Sequence, residues 1–531
     1  MSVARVPSRA QLGLEAPLVQ IEAHLGSGLP GFSIVGLPAP VVRESRERVR
    51  SAILNSGFEF PAGRITVNLA PVELAKEGGR YDLPIALALL IAGGQLRLSR
   101  EPAPECFGEL GLDGELRPVR GLLLAAVHAR RAGHEMVVPL TDLAEVRLAR
   151  QQGVSGFSDL RAVCSFLGGG AANPQSQSAG ALGAPGQFVS LKNQYSSLDD
   201  VKGQWRAKRA LTIAAAGGHS LLMVGPPGSG KSMLAARLVA LLPPLAEQEA
   251  MEVAGIASIG PQGFDPARWG QRPFRAPHHA ASASAIVGGG ARLRAGEISL
   301  AHHGVLFLDE LPEYDRRVLE ALREPLEAGV ITIARADARL ELPAQFQLVA
   351  AMNPCPCGYL GDARRPCACS ARRVQRYRER ISGPLLDRID LQIEVPRVEL
   401  HSLSAVPAEA NAAQLGERVL AARRLQQRRQ EICNARLDHA GLAAHCRADP
   451  QAQRLLLRVG ESLGVSARGY HRLLKVARTI ADLEGLDEIG VAQVGEAASY
   501  RPNTGPPGAA APPAGLTATG LSSAGPTSIE P

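Results

Sequence analysis

Long apolar runs, aromatic residues and lysine are all scarce in this sequence of 531 residues. The longest apolar run, LPIALALLIAGG from residue 83, is too short to cross a bilayer. The first residues, MSVARVPSRAQLGLE, lack the apolar core of a secretory signal. These two absences point away from a membrane-spanning or exported chain, and the expectation is a soluble, cytoplasmic protein with no membrane partner. Cysteine, at 8 residues, is too thin for a disulfide scaffold in a chain of this length. Aromatics make up 4% of the chain. Only six of the 58 basic residues are lysine, an arginine excess that reads as the codon usage of a G+C-rich genome. A net charge of +7 permits an anionic partner such as nucleic acid without requiring one. No internal repeat is visible.

What is present is ample material for packed cores: 45% of residues are hydrophobic. Length alone suggests about three or four domains. Residues 1–167 read as an α/β domain. Alternating apolar residues in FSIVGL (32–37) and ITVNLA (65–70) predict strands, and PVVRESRERVRSAILNSG between them has helical spacing with a C-terminal stop. Residues 168–194 are a Gly/Ala/Ser/Pro/Gln-rich linker. A second α/β domain spans 195–400, a helical region 411–500, and a tail too poor in apolar residues for a core 501–531.

The chemistry begins at LLMVGPPGSGKSML (221–234). An apolar strand enters Gly225-Pro226-Pro227-Gly228-Ser229-Gly230-Lys231-Ser232, which fits G-x-x-x-x-G-K-[ST], and an apolar helix follows. Glycines let backbone N–H groups curl around phosphates, and the helix aims its positive end at them. Lys231 is expected to neutralise the β- and γ-phosphates of ATP, and Ser232 to ligate Mg²⁺. GVLFLDE (304–310) supplies the second half, a buried strand ending in acids. Asp309 is expected to hold Mg²⁺ through water and Glu310 to act as general base. QFQLVAAMNP (345–354) is another buried strand, whose Asn353 would orient the attacking water or else cap a turn. Arg388, in GPLLDRID (383–390), fits either a surface salt bridge or an arginine finger supplied to a neighbouring subunit's ATP.

Two further stretches invite chemistry. Cys355, Cys357, Cys367 and Cys369 form C-x-C-x9-C-x-C directly after Asn353. Four thiolates suit structural Zn²⁺; reduced thiols in a Pro-rich loop are the other reading. The histidine pairs 278–279 and 302–303 read as structural or as ring contacts rather than as ligands. Residues 361–388 hold eight arginines against three acids and fit equally a solvated helix face or a phosphate-contacting surface. GVITIARADARLELPAQF (329–346) predicts a hairpin ahead of the Asn353 strand.

In this order, these parts resemble the AAA+ ATPases. RPFRAPHHAASASAIVGGG (272–290), RAGEISLAHHGVLFLDELPE (294–313) and AAMNPCPCGYLGD (350–362) are similar to the magnesium-chelatase-related branch, and within it to the ComM/YifB family. The likeness extends to VGLPAPVVRESRERVRSAILNSGFEF and onward to residue 87, and to SARGYHRLLKVARTIADLEG (466–485), so it covers about residues 10–500. The resemblance implies a fold of three parts: a Lon-protease-like α/β N-terminal domain, an AAA+ core with a parallel sheet, and a C-terminal α-helical lid. It implies a homo-oligomeric ring, a hexamer, with ATP and Mg²⁺ between subunits. It also implies branch migration on branched or single-stranded DNA in homologous recombination and natural transformation, with recombination proteins as candidate partners. By the same resemblance Arg388 is a finger in trans, and Arg468 matches a lid arginine that touches the γ-phosphate, with Arg472 as runner-up. The segment DDVKGQ (199–204) is expected near the adenine. Related rings point the equivalent of the 329–346 hairpin into the pore, which makes Arg335 and Arg339 candidate DNA contacts. KEGGRYDLPIA (76–86) and GELGLDGELRPVRGLLLAA (108–126) resemble two stretches of the Lon protease domain, where the nucleophilic Ser and the Lys base would fall. Arg80 and Leu123 stand at those places and can do neither job, so peptidase activity is excluded. The alternative reading is a chelatase-type ATPase that remodels a protein partner without DNA.

Overall fold

The computed structural model describes residues 3–99, 101–170, 197–289, 294–335, 338–362, 364–397 and 412–501. Most of the linker and nearly all of the tail lie outside these residues.

Among the described residues, the amino-terminal part has two main sheets and a two-stranded antiparallel pair, Glu109–Leu110 with Leu116–Arg117. In the first, Val3–Arg9, Leu18–Gly26, Arg64–Ala70 and Gly31–Val35 lie side by side in that order; the last pair is parallel and the others antiparallel. Arg64–Ala70 buries alternate residues, as its apolar alternation requires. Pro40–Asn55 is a helix that ends at Ser56 and Gly57, where the sequence carries its stop. The apolar run at 83 becomes the helix Asp82–Ala92, buried on nearly every side. A helix without a polar face is stable only when packed all round, and this one lies against the first sheet and Pro40–Asn55. The second sheet is parallel, Glu105–Cys106, Met136–Pro139 and Val154–Phe157, with crossover helices Leu122–Ala132 and Leu143–Ala149.

The central part is a five-stranded sheet whose pairings are all parallel. Its order is Phe274–Arg275, Val305–Leu308, Gln347–Met352, Leu221–Val224, Leu391–Glu394. Three of these strands read as apolar runs, LLMV, VLFL and, after Gln347, LVAAM, as strands buried on both faces do. Parallel strands present all their carboxyl ends on one edge. The segments after Val224, Leu308 and Met352 therefore meet there. The expected hairpin forms from Val330–Arg335 and Ala338–Pro343, antiparallel, with Ala334 opposite Arg339 and Arg335 opposite Ala338. The side chains of Arg335 and Arg339 lie outside those described.

The carboxyl-terminal part is helical: Ala412–Gln430, His439–His445, Pro450–Ser462, Ala467–Glu484 and Val491–Ser499. Leu473, Val476 and Ile480 share one core with Leu211 and Ile213 of the helix Trp205–Gly217. A buried polar chain reinforces this junction, with His219 between Asp390 (3.2 Å) and Thr479 (2.8 Å). The amino-terminal part also packs on the central one: Leu122, Leu123 and Ala126 cluster with Ala254 of the helix Glu247–Ile259.

Candidate functional site

At the carboxyl edge of the sheet, residues 225–230 turn between strand and helix. Gly228 (φ +75°) and Gly230 (φ +89°) adopt left-handed backbone that only glycine takes cheaply, which shapes the loop as a cradle. The helix Lys231–Leu241 starts at the end of that cradle. Lys231 is buried, and its ammonium donates to the Gly225 carbonyl (2.7 Å), the Pro226 carbonyl (3.0 Å) and Asn353 Oδ1 (3.4 Å). Burial pulls its pKa below the ordinary value, while Asp309 and Glu310 pull it back up. The Ser229 hydroxyl is buried with no hydrogen-bond partner among the described residues. A buried cation on weak neutral acceptors and an orphaned hydroxyl together fit an anion in this loop.

Ser232 donates its hydroxyl to Asp309 Oδ2 at 2.7 Å. These hard oxygen donors, set next to a phosphate cradle, suit Mg²⁺. Glu310 has φ +53°, an uncommon backbone for a non-glycine residue, stabilised by its N–H donating to Asp309 Oδ1. The twist parts the two adjacent carboxylates: Asp309 faces Ser232, and Glu310, half exposed, meets His279 Nδ1 at 3.1 Å. His279 thus meets the candidate base, a specific partner within the structural or ring-contact reading expected from sequence. Gln204, also at positive φ (+57°), donates its side-chain amide to the Pro396 carbonyl (2.6 Å) and reaches the Ser229 carbonyl (3.5 Å), which brings 199–204 beside the cradle.

The other edge of the sheet carries the arginines. Arg388 stands three residues before the strand Leu391–Glu394, and its carbonyl accepts from the Ser220 hydroxyl (3.0 Å), which precedes Leu221–Val224. A four-residue strand, about 13 Å long, separates it from Gly225. Arg388 is buried and pairs with Glu327 at 2.8 Å. Its Nε has no partner among the described residues, a cost of about 1–3 kcal/mol. Arg468, on the first turn of the helix Ala467–Glu484, pairs with the other oxygen of Glu327 at 2.9 Å. The structure thus groups Arg468 with Arg388, at the edge away from the Lys231 of its own chain. Arg472, the runner-up, pairs with buried Asp390 and donates to the Arg388 carbonyl (2.7 Å). Burial pushes Asp390 up in pKa, but Arg472 and His219 outweigh it and hold the carboxylate well below its usual range. Arg472 ties the carboxyl-terminal helices to the central sheet.

Sequence reasoning missed Glu327. It is the penultimate residue of a short helix, Arg323–Ala328, and nothing in its neighbours marks it. Its partners come from segments far along the chain, so no local spacing could reveal it. The pair 302–303 meets Glu252 at 3.2 and 3.0 Å. His302 Nδ1 accepts the N–H of Gln345 (3.0 Å). A neutral ring that accepts at Nδ1 carries its proton on Nε2, the nitrogen facing Glu252, and cannot offer that atom to a metal. His302 is a brace, and His303 lies beside it against Glu252 and Glu249. In the amino-terminal part, Arg80 is buried and donates to the Arg120 carbonyl (2.7 Å), and Leu123 lies in a core. Neither place offers a nucleophile or a base.

Three family models match the chain: "Subunit ChlI of Mg-chelatase" over 21–142, "Magnesium chelatase, subunit ChlI" over 197–403, and "Magnesium chelatase, subunit ChlI C-terminal" over 409–501. The uncharacterized protein YifB of Salmonella typhimurium is 49% identical over 94% of this chain and 97% of its own length. YifB of Escherichia coli is 48% identical over the same shares. The competence protein ComM of Haemophilus influenzae is 47% identical over 94% of this chain and 98% of its own. With relatives this similar end to end, and with the cradle, acids and arginines on one parallel sheet, the chain belongs to the ComM/YifB family of magnesium-chelatase-related AAA+ proteins.

Proposed function

We propose that this chain is an ATP hydrolase that works as a homo-oligomeric ring, six subunits by resemblance, and moves along DNA to promote branch migration. One observation carries the reading: the candidate site is divided. The phosphate cradle, Ser232, Asp309, Glu310 and Asn353 occupy one edge of the sheet, and Arg388 and Arg468 the other. Such halves complete each other only when one subunit's arginine edge meets a neighbour's cradle.

Within one site, Lys231 and the loop N–H groups bind the phosphates; Ser232 and Asp309 would hold Mg²⁺, which would supply positive charge against the phosphates. Asn353 orients water, and Glu310 takes its proton once His279 lets go. Arg388 and Arg468 of the neighbour leave Glu327 for the γ-phosphate. The amino-terminal domain, 1–167, is Lon-like in shape and has no catalytic task; it packs on the ring.

DNA as the track is supported by the name of the Haemophilus relative, a competence protein. It is supported also by Arg372, Arg373 and Arg376, exposed on the helix Ala371–Arg378 and making no ion pair among the described residues. The family models, named for magnesium chelatase, favour a second reading in which the motor remodels a protein. Steady-state ATPase rates with branched, single-stranded and duplex DNA separate the two, with Glu310→Gln as control. Stimulation by branched or single-stranded DNA is the expected result. A rate indifferent to all three would transfer the conclusion to protein remodelling.

A further inference from the structure

The four cysteines meet. Sulfur separations are 3.3 Å between Cys355 and Cys357 and 3.6 Å from each to Cys367, and all four ligand atoms, that of Cys369 included, lie within 4.8 Å of one another. Thiolates about 2.3 Å from a tetrahedral zinc lie about 3.8 Å apart. Soft sulfur ligands select zinc over Mg²⁺, and four of them leave no open position, so the metal would be structural. The described residues between Asn353 and Ser370 form no helix or strand. Such a loop needs a staple to keep one shape.

That shape bears on the hydrolysis site. Cys355 is two residues past Asn353, whose side chain reaches Lys231. Gly358, at φ +85°, lies so close to the phosphate loop that a Cβ there would come within 2.7 Å of the Pro227 ring and 3.8 Å of the Asn353 amide carbon. On the far side, Tyr359 lies between the guanidiniums of Arg365 and Arg397, 4.3 and 5.6 Å from its ring centre, and Arg397 pairs with Asp362 at 3.1 Å. The loop is a wedge between the phosphate loop and the end of the strand Leu391–Glu394.

We propose that Cys355, Cys357, Cys367 and Cys369 bind one zinc ion, and that zinc occupancy sets the position of Asn353 and so gates ATP turnover while leaving nucleotide binding intact. This rests on the ATPase reading above. Binding survives because Lys231 and the glycines are fixed by the sheet and their own helix. Turnover does not, because a shift of about 1 Å in a positioning group costs about 100-fold in rate.

The test uses the full chain, purified without chelators. Metal analysis is expected to give one zinc per chain. Stripping the zinc with a thiol reagent and a chelator, then reversing the thiol block, is expected to lower kcat about 100-fold. Affinity for a fluorescent ATP analogue stays unchanged, and added zinc restores the rate. Cys367→Ser with Cys369→Ser reproduces the stripped state genetically, with thermal melting to verify the fold. Protein without bound zinc overturns the site. Stripped protein with full kcat, or with nucleotide affinity lost in step with kcat, overturns the gating. Untreated protein that holds zinc and binds nucleotide but never hydrolyses ATP overturns the ATPase reading and the gating with it, and keeps the metal site.

Discussion

At the carboxyl edge of the central sheet, Lys231 rests on carbonyls of its own loop and on one amide, partners that a phosphate outbids. At the amino edge, Arg388 rests on a full carboxylate, Glu327, and shares it with Arg468. The first edge waits for a ligand with its cation hydrogen-bonded only to neutral acceptors. The second keeps its charge neutralised until something stronger arrives. The difference teaches how one sheet can carry two unlike charge arrangements; on the proposed reading, the receiving half is primed and the donating half stays shut unless a neighbour presents a phosphate.

The comparison can be broken at several points. Lys231→Ala removes the primed cation, and nucleotide binding is expected to vanish in a fluorescent-ATP titration; retained affinity would refute the cradle. Glu310→Gln should bind ATP normally while hydrolysis falls by about 10²–10⁴, measured by phosphate release. Arg388→Ala is expected to cost about 10³-fold and to poison wild-type neighbours in mixed rings. Activity strictly proportional to wild-type content would place the arginine outside a shared site. Glu327→Gln weakens the hold on both arginines, so the expected change is a few-fold rise in basal turnover with nucleotide affinity unchanged; an unaltered rate would mean that the carboxylate restrains nothing. The smallest effect concerns His302, which braces the amino edge through Gln345. Burial, then the neighbouring His303, lowers it from 6.5 to about 4. The unfolded chain takes up a proton below about 6.5 and the folded one only near 4. Its contribution to stability is therefore whole above 6.5 and declines as pH falls between the two. His302→Asn should flatten that part of the Tm-against-pH curve.

The cradle was legible because its chemistry is local: eight consecutive residues between a strand and a helix announce it. The ends of the strands carrying Asp309 and Asn353 were legible for the same reason, since a buried apolar run that stops at a polar residue shows where its sheet edge must be. Arg388 could be singled out, but not its partner. Glu327, His279 and the bracing of Pro227 by Gly358 depend on chain segments brought together only by folding, and a lone acid, histidine or glycine carries no mark of that. Arg468 was legible as a residue and not as a place: which edge the lid presents it to follows from Ser466 and Arg472 docking on Asp387 and Asp390.

A carboxylate shared by two guanidiniums gives them up unequally. The first to depart leaves Glu327 still paired; the second leaves it bare. Arg468 is half exposed and Arg388 buried, so the lid arginine goes first and the buried one follows at greater cost. Glu327 is also three residues upstream of Val330, where the hairpin begins. In the proposed ring, a subunit wired in this way would answer its neighbour as a latch with two tumblers does, ignoring a half-turned key and opening only when both have moved.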